Sequence, residues 1–276
     1  MSQQTSITLN DGRAIPQVGL GVWQVPDETA TQSVAEALKA GYTHVDTAAI
    51  YENERGVGRG LAQSGVTRGD VFVTTKLWNE NQGFDRTLRA FDESLNRLGL
   101  DHVDLYLIHW PSPAREAYVD TWKAFIRLRE EGRARSIGVS NFTAEHLDRL
   151  IGETGVTPVL NQIELHPRFQ QRDLRAAHEA RGIATQSWSP LGQGQLLSDP
   201  AIARIAQKHG KTPAQVIIRW HVDNGLVVIP KSVTPSRIRE NIAVFDFRLD
   251  EEDLSAIAAL DSAEGRIGPD PMTAKF

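Results

Sequence analysis

The sequence predicts an α/β protein, a (β/α)8 barrel of the TIM type with an N-terminal β-hairpin and short extra helices. Three observations carry this reading. Strand-like and helix-like segments alternate eight times at a spacing of roughly 30 residues. Between them the apolar period changes from two to about 3.6. No Gly-x-Gly-x-x-Gly follows any strand, which argues against an open doubly wound sheet with a phosphate cradle. Gly19-Leu20-Gly21 lacks the third glycine, and Gly56-Val57-Gly58-Arg59-Gly60 follows a loop and reads as helix packing.

The chain opens with SITLN-DG-RAIPQV (6–18), two short strands around Asp11-Gly12, a pair suited to the positive φ values of a tight hairpin turn. A lid or plug ahead of the main fold is expected there. Eight strand candidates follow: GLGVW (19–23), THVDT (43–47), VFVTTK (71–76), VDLYLIH (103–109), SIGVS (136–140), LNQIEL (160–165), ATQSW (184–188) and LVVIPKS (226–232). Helical stripes lie between them, as in Val34, Ala37 and Leu38, in Leu88, Phe91, Leu95 and Leu98, and in Leu147, Leu150 and Ile151. Gly41, Gly99, Gly132 and Gly182 close helical stretches, where a left-handed residue is often needed. Thr212-Pro213 and Thr234-Pro235 read as N-cap and first helical residue, and the Asp250–Leu260 stretch as an extra helix. No linker or composition break divides the chain, so residues 1–276 are taken as one barrel domain.

Composition excludes several function classes. With 40% hydrophobic and 24% charged residues and no run of about 18 apolar residues, a membrane span is not expected. The 30 basic and 35 acidic side chains show no Lys/Arg stripe, which argues against a nucleic-acid partner. The absence of cysteine removes disulfides, thiolate zinc sites and cysteine nucleophiles, so any redox chemistry needs a bound cofactor. The N-terminus lacks a basic stretch before an apolar core, and cytoplasmic residence is the expectation.

Chemistry concentrates at strand ends. Asp46, Tyr51, Lys76 and His109 each lie at or just beyond a different strand, and a barrel gathers strand C-termini on one rim. Taken singly, Tyr51 reads as a half-buried aromatic, Lys76 as a surface charge and Asp46 as a helix cap. Together they read differently. An aspartate and a lysine ending adjacent strands must pair if both face the interior. A lysine so held, beside Tyr51, would lower the phenol's pKa by about one to three units. Such a tyrosine is a general acid for a nascent alkoxide, and His109 can orient the same oxygen. Reduction of a carbonyl by hydride has these requirements.

In this order, the residues resemble the aldo-keto reductase superfamily. The match runs through GYTHVDTAAIY (41–51), TTKLWN (74–79), DLYLIHWP (104–111), SIGVSNF (136–142), NQIELHP (161–167) and IPKS (229–232). The resemblance implies Tyr51 as proton donor, Lys76 as the group lowering its pKa, Asp46 as the lysine's holder and His109 as the residue orienting the carbonyl. It also implies a nicotinamide dinucleotide bound on the barrel rim without a Rossmann motif. On that pattern Ser140, Asn141 and Gln162 hydrogen-bond the nicotinamide carboxamide, with helix capping the alternative for Asn141, and Trp188 stacks on the ring. The loop Ser189-Pro190-Leu191-Gly192-Gln193-Gly194 approaches the pyrophosphate through backbone N–H groups. Lys231, Ser232, Val233 and Arg237 surround a helix start that favours a phosphate, predicting NADPH, and Glu240 and Asn241 match adenine-side positions. Trp23, Trp78 and Trp110 at the barrel mouth predict an apolar wall for a small carbonyl substrate.

Within the superfamily, WSPLGQG and IPKSV look like the bacterial 2,5-diketo-D-gluconate reductase branch, acting on that compound or on related dicarbonyls and keto esters, as a monomer. The alternative is an NADPH-binding barrel that serves as a regulatory or interaction subunit. A metal-dependent hydrolase around His109 lacks clustered ligands. A glycosidase would need Glu164 and Asp46 as its paired carboxylates.

Overall fold

The computed structural model describes residues 4–274, so residues 1–3 and 275–276 of the expected domain lie outside the described residues. β1 (Ser6–Thr8) and β2 (Ala14–Pro16) form the antiparallel hairpin, with Ile7 opposite Ile15. Its turn is wider than expected. Leu9 N–H donates to Arg13 O and Gly12 N–H to Leu9 O, and only Gly12 of the Asp11-Gly12 pair has a positive φ. A three-residue connection needs one left-handed position, whereas the two-residue type I′ turn needs two. Asp11 instead accepts from Arg13 N–H at 3.0 Å and from Ser136 Oγ at 2.6 Å, tying the turn to the barrel. Leu9 and Ile15 are buried with Phe72, Leu160 and Val227, which begin three of the barrel strands, so the hairpin plugs the N-terminal mouth.

Eight parallel strands follow in sequence order: β3 (Leu20–Gly21), β4 (His44–Asp46), β5 (Phe72–Leu77), β6 (Val103–Ile108), β7 (Ala134–Ser140), β8 (Leu160–Glu164), β9 (Ala184–Trp188) and β10 (Val227–Val228). Parallel bridges of Val18 with Val228 and Gly21 with Lys231 join the first strand to the last and close the barrel. Closure removes both sheet edges. The two joining strands are shorter than the sequence suggests, because Pro230 has no N–H to continue a ladder. At Gly21 a Cβ would lie 2.8 Å from Ile229 O, so glycine is what permits the seam.

Helices α1 (Asp27–Lys39), α2 (Glu54–Ser64), α3 (Phe84–Leu98), α4 (Tyr118–Glu130), α5 (Ala144–Thr154) and α6 (Arg172–Glu179) follow β3 to β8 in turn. Two helices, α7 (Pro200–His209) and α8 (Pro213–Asp223), follow β9; α9 (Pro235–Ile242) follows β10, and α10 (Glu251–Ala258) packs on α7. The predicted stripes face inward: Val34, Ala37, Leu38, Phe91, Leu95, Leu98, Leu147 and Leu150 are buried, with Leu88 and Ile151 at the margins. Gly41, Gly99, Gly132 and Gly182 take φ between 64° and 100°, as their helix-ending role requires. Thr212 closes a capping box with Gln215. Thr234 occupies the N-cap position of α9 but makes no side-chain cap, and its own N–H donates to Ser232 Oγ at 3.2 Å. No helix among the described residues is long and apolar enough to cross a membrane.

The glycine run on α2 is a packing device. A Cβ on Gly56 would stand 1.9 Å from Asp27 O, and one on Gly58 2.1 Å from Leu98 O. Backbone of the neighbouring helices occupies the space a side chain would need. Gly56→Ala is therefore expected to cost about 1–3 kcal/mol in denaturant unfolding, since overpacking against backbone has no side chain to move aside. A loss below about 0.5 kcal/mol, the range of neutral surface changes, would show that α1 and α2 can separate freely.

Candidate active site

The rim formed by the strand C-termini is where backbone conformation departs from the ordinary. Gln24, Glu52, Ser112, Glu116, Asn141, Gln171, Ser189 and Gln193 have positive φ without being glycine, and every one lies in a loop leading from a strand to a helix. Such strain persists only where the surroundings enforce it, and it gathers at functional faces.

Asp46 ends β4, Tyr51 lies in the short 3-10 turn after it, Lys76 is in β5, and His109 immediately follows β6. The surface reading of Lys76 fails, for it is 0% exposed. Its ammonium donates to Asp46 Oδ1, to Thr47 O at 2.8 Å and to Tyr51 Oη at 3.5 Å. An ammonium has three N–H bonds, and each finds an acceptor. Asp46 Oδ2 accepts from Gln162 Nε2 at 2.8 Å, so the carboxylate is satisfied on both oxygens and caps no helix. Burial lowers the Lys76 pKa, but Asp46 and Tyr51 outweigh it and hold the ammonium above its ordinary value.

Tyr51 departs from expectation. Burial is the largest influence and raises its pKa above the ordinary phenol value; Lys76 pulls it down, and Asp46 pushes it up again. The pair beside the phenol is electrically neutral, so the lysine cannot overcome desolvation in the protein alone. Tyr51 consequently keeps its proton through neutral pH. With Lys76 donating to its oxygen, the hydroxyl proton is left for a partner in the cavity.

His109 packs edge-on against Tyr51 and Trp78, with ring centroids 5.6 and 5.3 Å away. Burial first, then the Lys76 charge, hold its pKa well below the ordinary imidazole value. A neutral ring at all working pH values predicts a pH–rate profile for carbonyl reduction with no step near 6.5. The sign follows from both groups. His109 gains no proton as pH falls through the ordinary imidazole value, and Tyr51 loses its proton only as pH rises past its raised pKa. A step near pH 6.5 abolished by His109→Gln would disprove the buried, neutral assignment.

These side chains open into a cavity of about 580 Å³, lined by Trp23, Trp78, Trp110, Trp188, Asn141, Gln162, Tyr51 and His109, among others. Trp23 is exposed at the lip, and Trp110 is buried. A second cavity of about 760 Å³ adjoins it through Trp23, Gln24, Ser189, Pro190, Gln193 and Lys231. Leu191, Gly194, Ser232, Val233, Arg237, Glu240 and Asn241 line this second space. Lys231 and Arg237 are exposed there and have no carboxylate partner among the described residues, while Glu240 accepts from Thr212 Oγ at 2.8 Å. Two unpaired cations beside the start of α9 fit a phosphate-bearing ligand.

Some predicted contacts are arranged differently. Ser140 does not reach the cavity; its hydroxyl donates to Gln162 O at 2.8 Å, behind Asn141. Asn141 is not a helix cap, since Thr143 closes a capping box on α5 with His146. Its amide donates to His109 O and Ser140 Oγ, and its Oδ1 accepts from Trp188 Nε1 at 2.8 Å, so it locks three strand ends together. The amides of Gly192 and Gly194 donate to Ser189 O and Leu191 O within their own loop. In this structure those two N–H groups shape the turn of the loop. Glu164 and Asp46 are both engaged, Glu164 by His166 and two backbone amides, which leaves no carboxylate pair for glycoside hydrolysis. No cluster of metal-ligating side chains occurs among the described residues.

The sequence profile of the Aldo/keto reductase family matches residues 16–262. The chain belongs to the aldo/keto reductase family. It is 61% identical over 270 residues to an aldo-keto reductase of Mycolicibacterium smegmatis, covering 98% of both chains. It is 55% identical over 273 residues to the methylglyoxal reductase DkgA of Salmonella typhimurium, again covering 98% of both. A crystal structure of a Gox0644 variant in complex with NADPH superposes with a TM-score of 0.97 at 56% identity, covering 100% of both chains.

Within this aldo/keto reductase, the sequence motifs missed part of the cavity. Ile50, Gln24 and the C-terminal Ile267, Gly268 and Pro269 all line it. Gln24 lies next to a recognised segment, and Ile50 lies within GYTHVDTAAIY, where nothing marks it as a wall residue. The 267–269 segment follows the last helix and carries no periodicity, so only its tertiary contacts reveal it.

Proposed function

We propose that this chain catalyses the NADPH-dependent reduction of a small aldehyde or ketone to the alcohol, with neutral dicarbonyls and keto esters as its best substrates. One observation carries the reading: all three donors of the buried Lys76 ammonium are assigned, one of them to Tyr51, whose own proton is thereby left to the cavity. Tyr51 protonates the oxygen of the reacting carbonyl, Lys76 donates to the phenolate oxygen as it forms, and Asp46 keeps the lysine charged and in place. His109, neutral and edge-on to Tyr51, orients the carbonyl oxygen. The second cavity supports the cofactor assignment, with Lys231, Ser232 and Arg237 at the 2′-phosphate, Glu240 and Asn241 on the adenine side, and Trp188, Asn141 and Gln162 around the nicotinamide. When bound, the reduced nicotinamide supplies the hydride.

The lining of the first cavity favours a neutral substrate. Four tryptophans and aliphatic side chains make up much of its walls, and the polar groups among them are mostly neutral, such as Gln24, Asn141, Gln162 and Gln193. Lys231, shared with the cofactor groove, is its only exposed cation among the described residues. A substrate carboxylate would lose hydration there without a dedicated partner. 2,5-Diketo-D-gluconate, methylglyoxal and a neutral keto ester, compared by kcat/KM with NADPH, form the test. Turnover of none of them would leave the regulatory-subunit reading instead, and a clear preference for the acid would reject the neutral class.

The phosphate assignment has its own test. Arg237→Ala is expected to raise KM for NADPH by about tenfold or more, the scale of a charged hydrogen bond, with little effect on NADH. Equal effects on the two cofactors would remove Arg237 from the 2′-phosphate.

A further inference from the structure

The C-terminal segment enters the cavity wall without belonging to any helix or strand, and one buried side chain holds it. Glu164, the last residue of β8, is 2% exposed. Its Oε1 accepts from Ile267 N–H at 2.6 Å and from His166 Nε2 at 3.1 Å, and its Oε2 accepts from Gly268 N–H at 2.8 Å. Two consecutive amides thus sit on the two oxygens of one carboxylate, and neither has another acceptor among the described residues. Burial pushes the Glu164 pKa up, yet the bonds from His166, Ile267 and Gly268 outweigh it and keep the group ionised below its ordinary range. Charge-assisted bonds of this kind are roughly twice as strong as neutral ones.

The segment's position matters because of what it touches. A Cβ on Gly268 would lie 2.4 Å from the Trp188 ring and 3.0 Å from Glu164 Oε2, so the backbone itself is pressed between the indole and the carboxylate. Trp188 in turn holds Asn141 through its indole N–H. Ile267, Gly268 and Pro269 line the same cavity as Tyr51 and His109. Nothing in a simple tail-packing role calls for a buried carboxylate, since apolar contacts would cover the same surface without a desolvation cost. A two-pronged acceptor does something apolar packing cannot, which is to fix the register of the tail to within a hydrogen-bond length.

We propose that Glu164 is a positioning residue that clamps the Ile267–Pro269 strap against Trp188, and that this clamp sets the width of the carbonyl cavity and so its preference for small substrates. The inference rests on the cavity being the carbonyl site, and it goes beyond that reading by assigning size selection to a residue whose carboxylate faces the tail.

Amide hydrogen exchange and kinetic selectivity together test it. In Glu164→Gln the side chain keeps one good acceptor, so exchange at Ile267 and Gly268 is expected to speed up by about tenfold or more, the factor that about 1.4 kcal/mol of lost hydrogen bonding confers. KM for methylglyoxal is expected to rise about fivefold with kcat changed less than about twofold, while KM for benzaldehyde holds or falls, because only the small carbonyl depends on a closely set wall. Gly268→Ala approaches the same contact from the strap and should give the same selectivity shift, which keeps the test in hand if the glutamine variant fails to fold. Unchanged exchange in Glu164→Gln overturns the clamp. Faster exchange with an unchanged ratio of kcat/KM for the two aldehydes overturns the link to substrate size. If the wild-type chain reduces neither aldehyde, the functional reading fails and the size-selection claim falls with it, while the exchange result still decides whether Glu164 holds the strap.

Discussion

Tyr51→Phe is expected to lower kcat for carbonyl reduction by about 10²–10⁴, the range that a general acid contributes, while KM for NADPH changes little. The phenyl ring keeps its edge-on contact with His109, 5.6 Å between centroids, so the substitution removes a proton and leaves the packing. The raised pKa of Tyr51 makes the expectation stronger, because burial keeps the phenol protonated and no other group beside it can take over. His109 is neutral, and the Lys76 ammonium, though burial lowers its pKa, is held above its ordinary value chiefly by Asp46, so it gives up a proton poorly even with the N–H that pointed to Tyr51 set free. Stopped-flow measurement of hydride transfer would separate chemistry from product release. Retention of near-normal single-turnover rates in the phenylalanine variant would sink the assignment of Tyr51.

Lys76→Met is expected to damage both folding and activity. The substitution is close to isosteric but leaves Asp46 buried at 1% exposure with Gln162 as its remaining side-chain donor. Removing one member of a buried ion pair costs about 3–5 kcal/mol, mainly because the surviving charge stays desolvated. Replacing both partners relieves that cost. Lys76→Met combined with Asp46→Asn should therefore recover much of the stability lost by the single variant, measured by denaturant unfolding, without recovering turnover. Additive stability losses in the double variant would mean that the two residues do not act as a pair. Activity in the double variant would mean that Tyr51 works without its lysine.

Both expectations concern residues that the sequence singled out, and the reason they were legible is geometric. A parallel barrel places every strand C-terminus on one rim, so polar residues that end apolar runs, such as Lys76 after VFVTT and His109 after VDLYLI, are gathered whatever the details of packing. The cofactor groove was legible for the same reason, since Lys231 to Asn241 surround the start of α9 beyond β10. Less legible was what each polar atom bonds to. Ser140 and the glycines of the 189–194 loop carry suitable groups, but neighbouring backbone claims those groups first. Asn141 reads as a candidate cap, yet its left-handed backbone turns its side chain onto His109, Ser140 and Trp188.

The amino-acid sequence by itself determined the eight strand–helix units, the hairpin before them, the family and the four residues that meet beneath the cavity. Those features rest on local periodicity, on turn chemistry and on the rule that strand ends share a rim. Tertiary structure alone decided that burial outweighs the pull of Lys76 and raises the Tyr51 pKa, and that the tail after α10 returns to form a cavity wall under Glu164. A pKa sums desolvation and charge from segments far apart in the chain, and a strap without periodicity acquires a place only from the partner that binds its amides. Neither quantity exists until the barrel has closed.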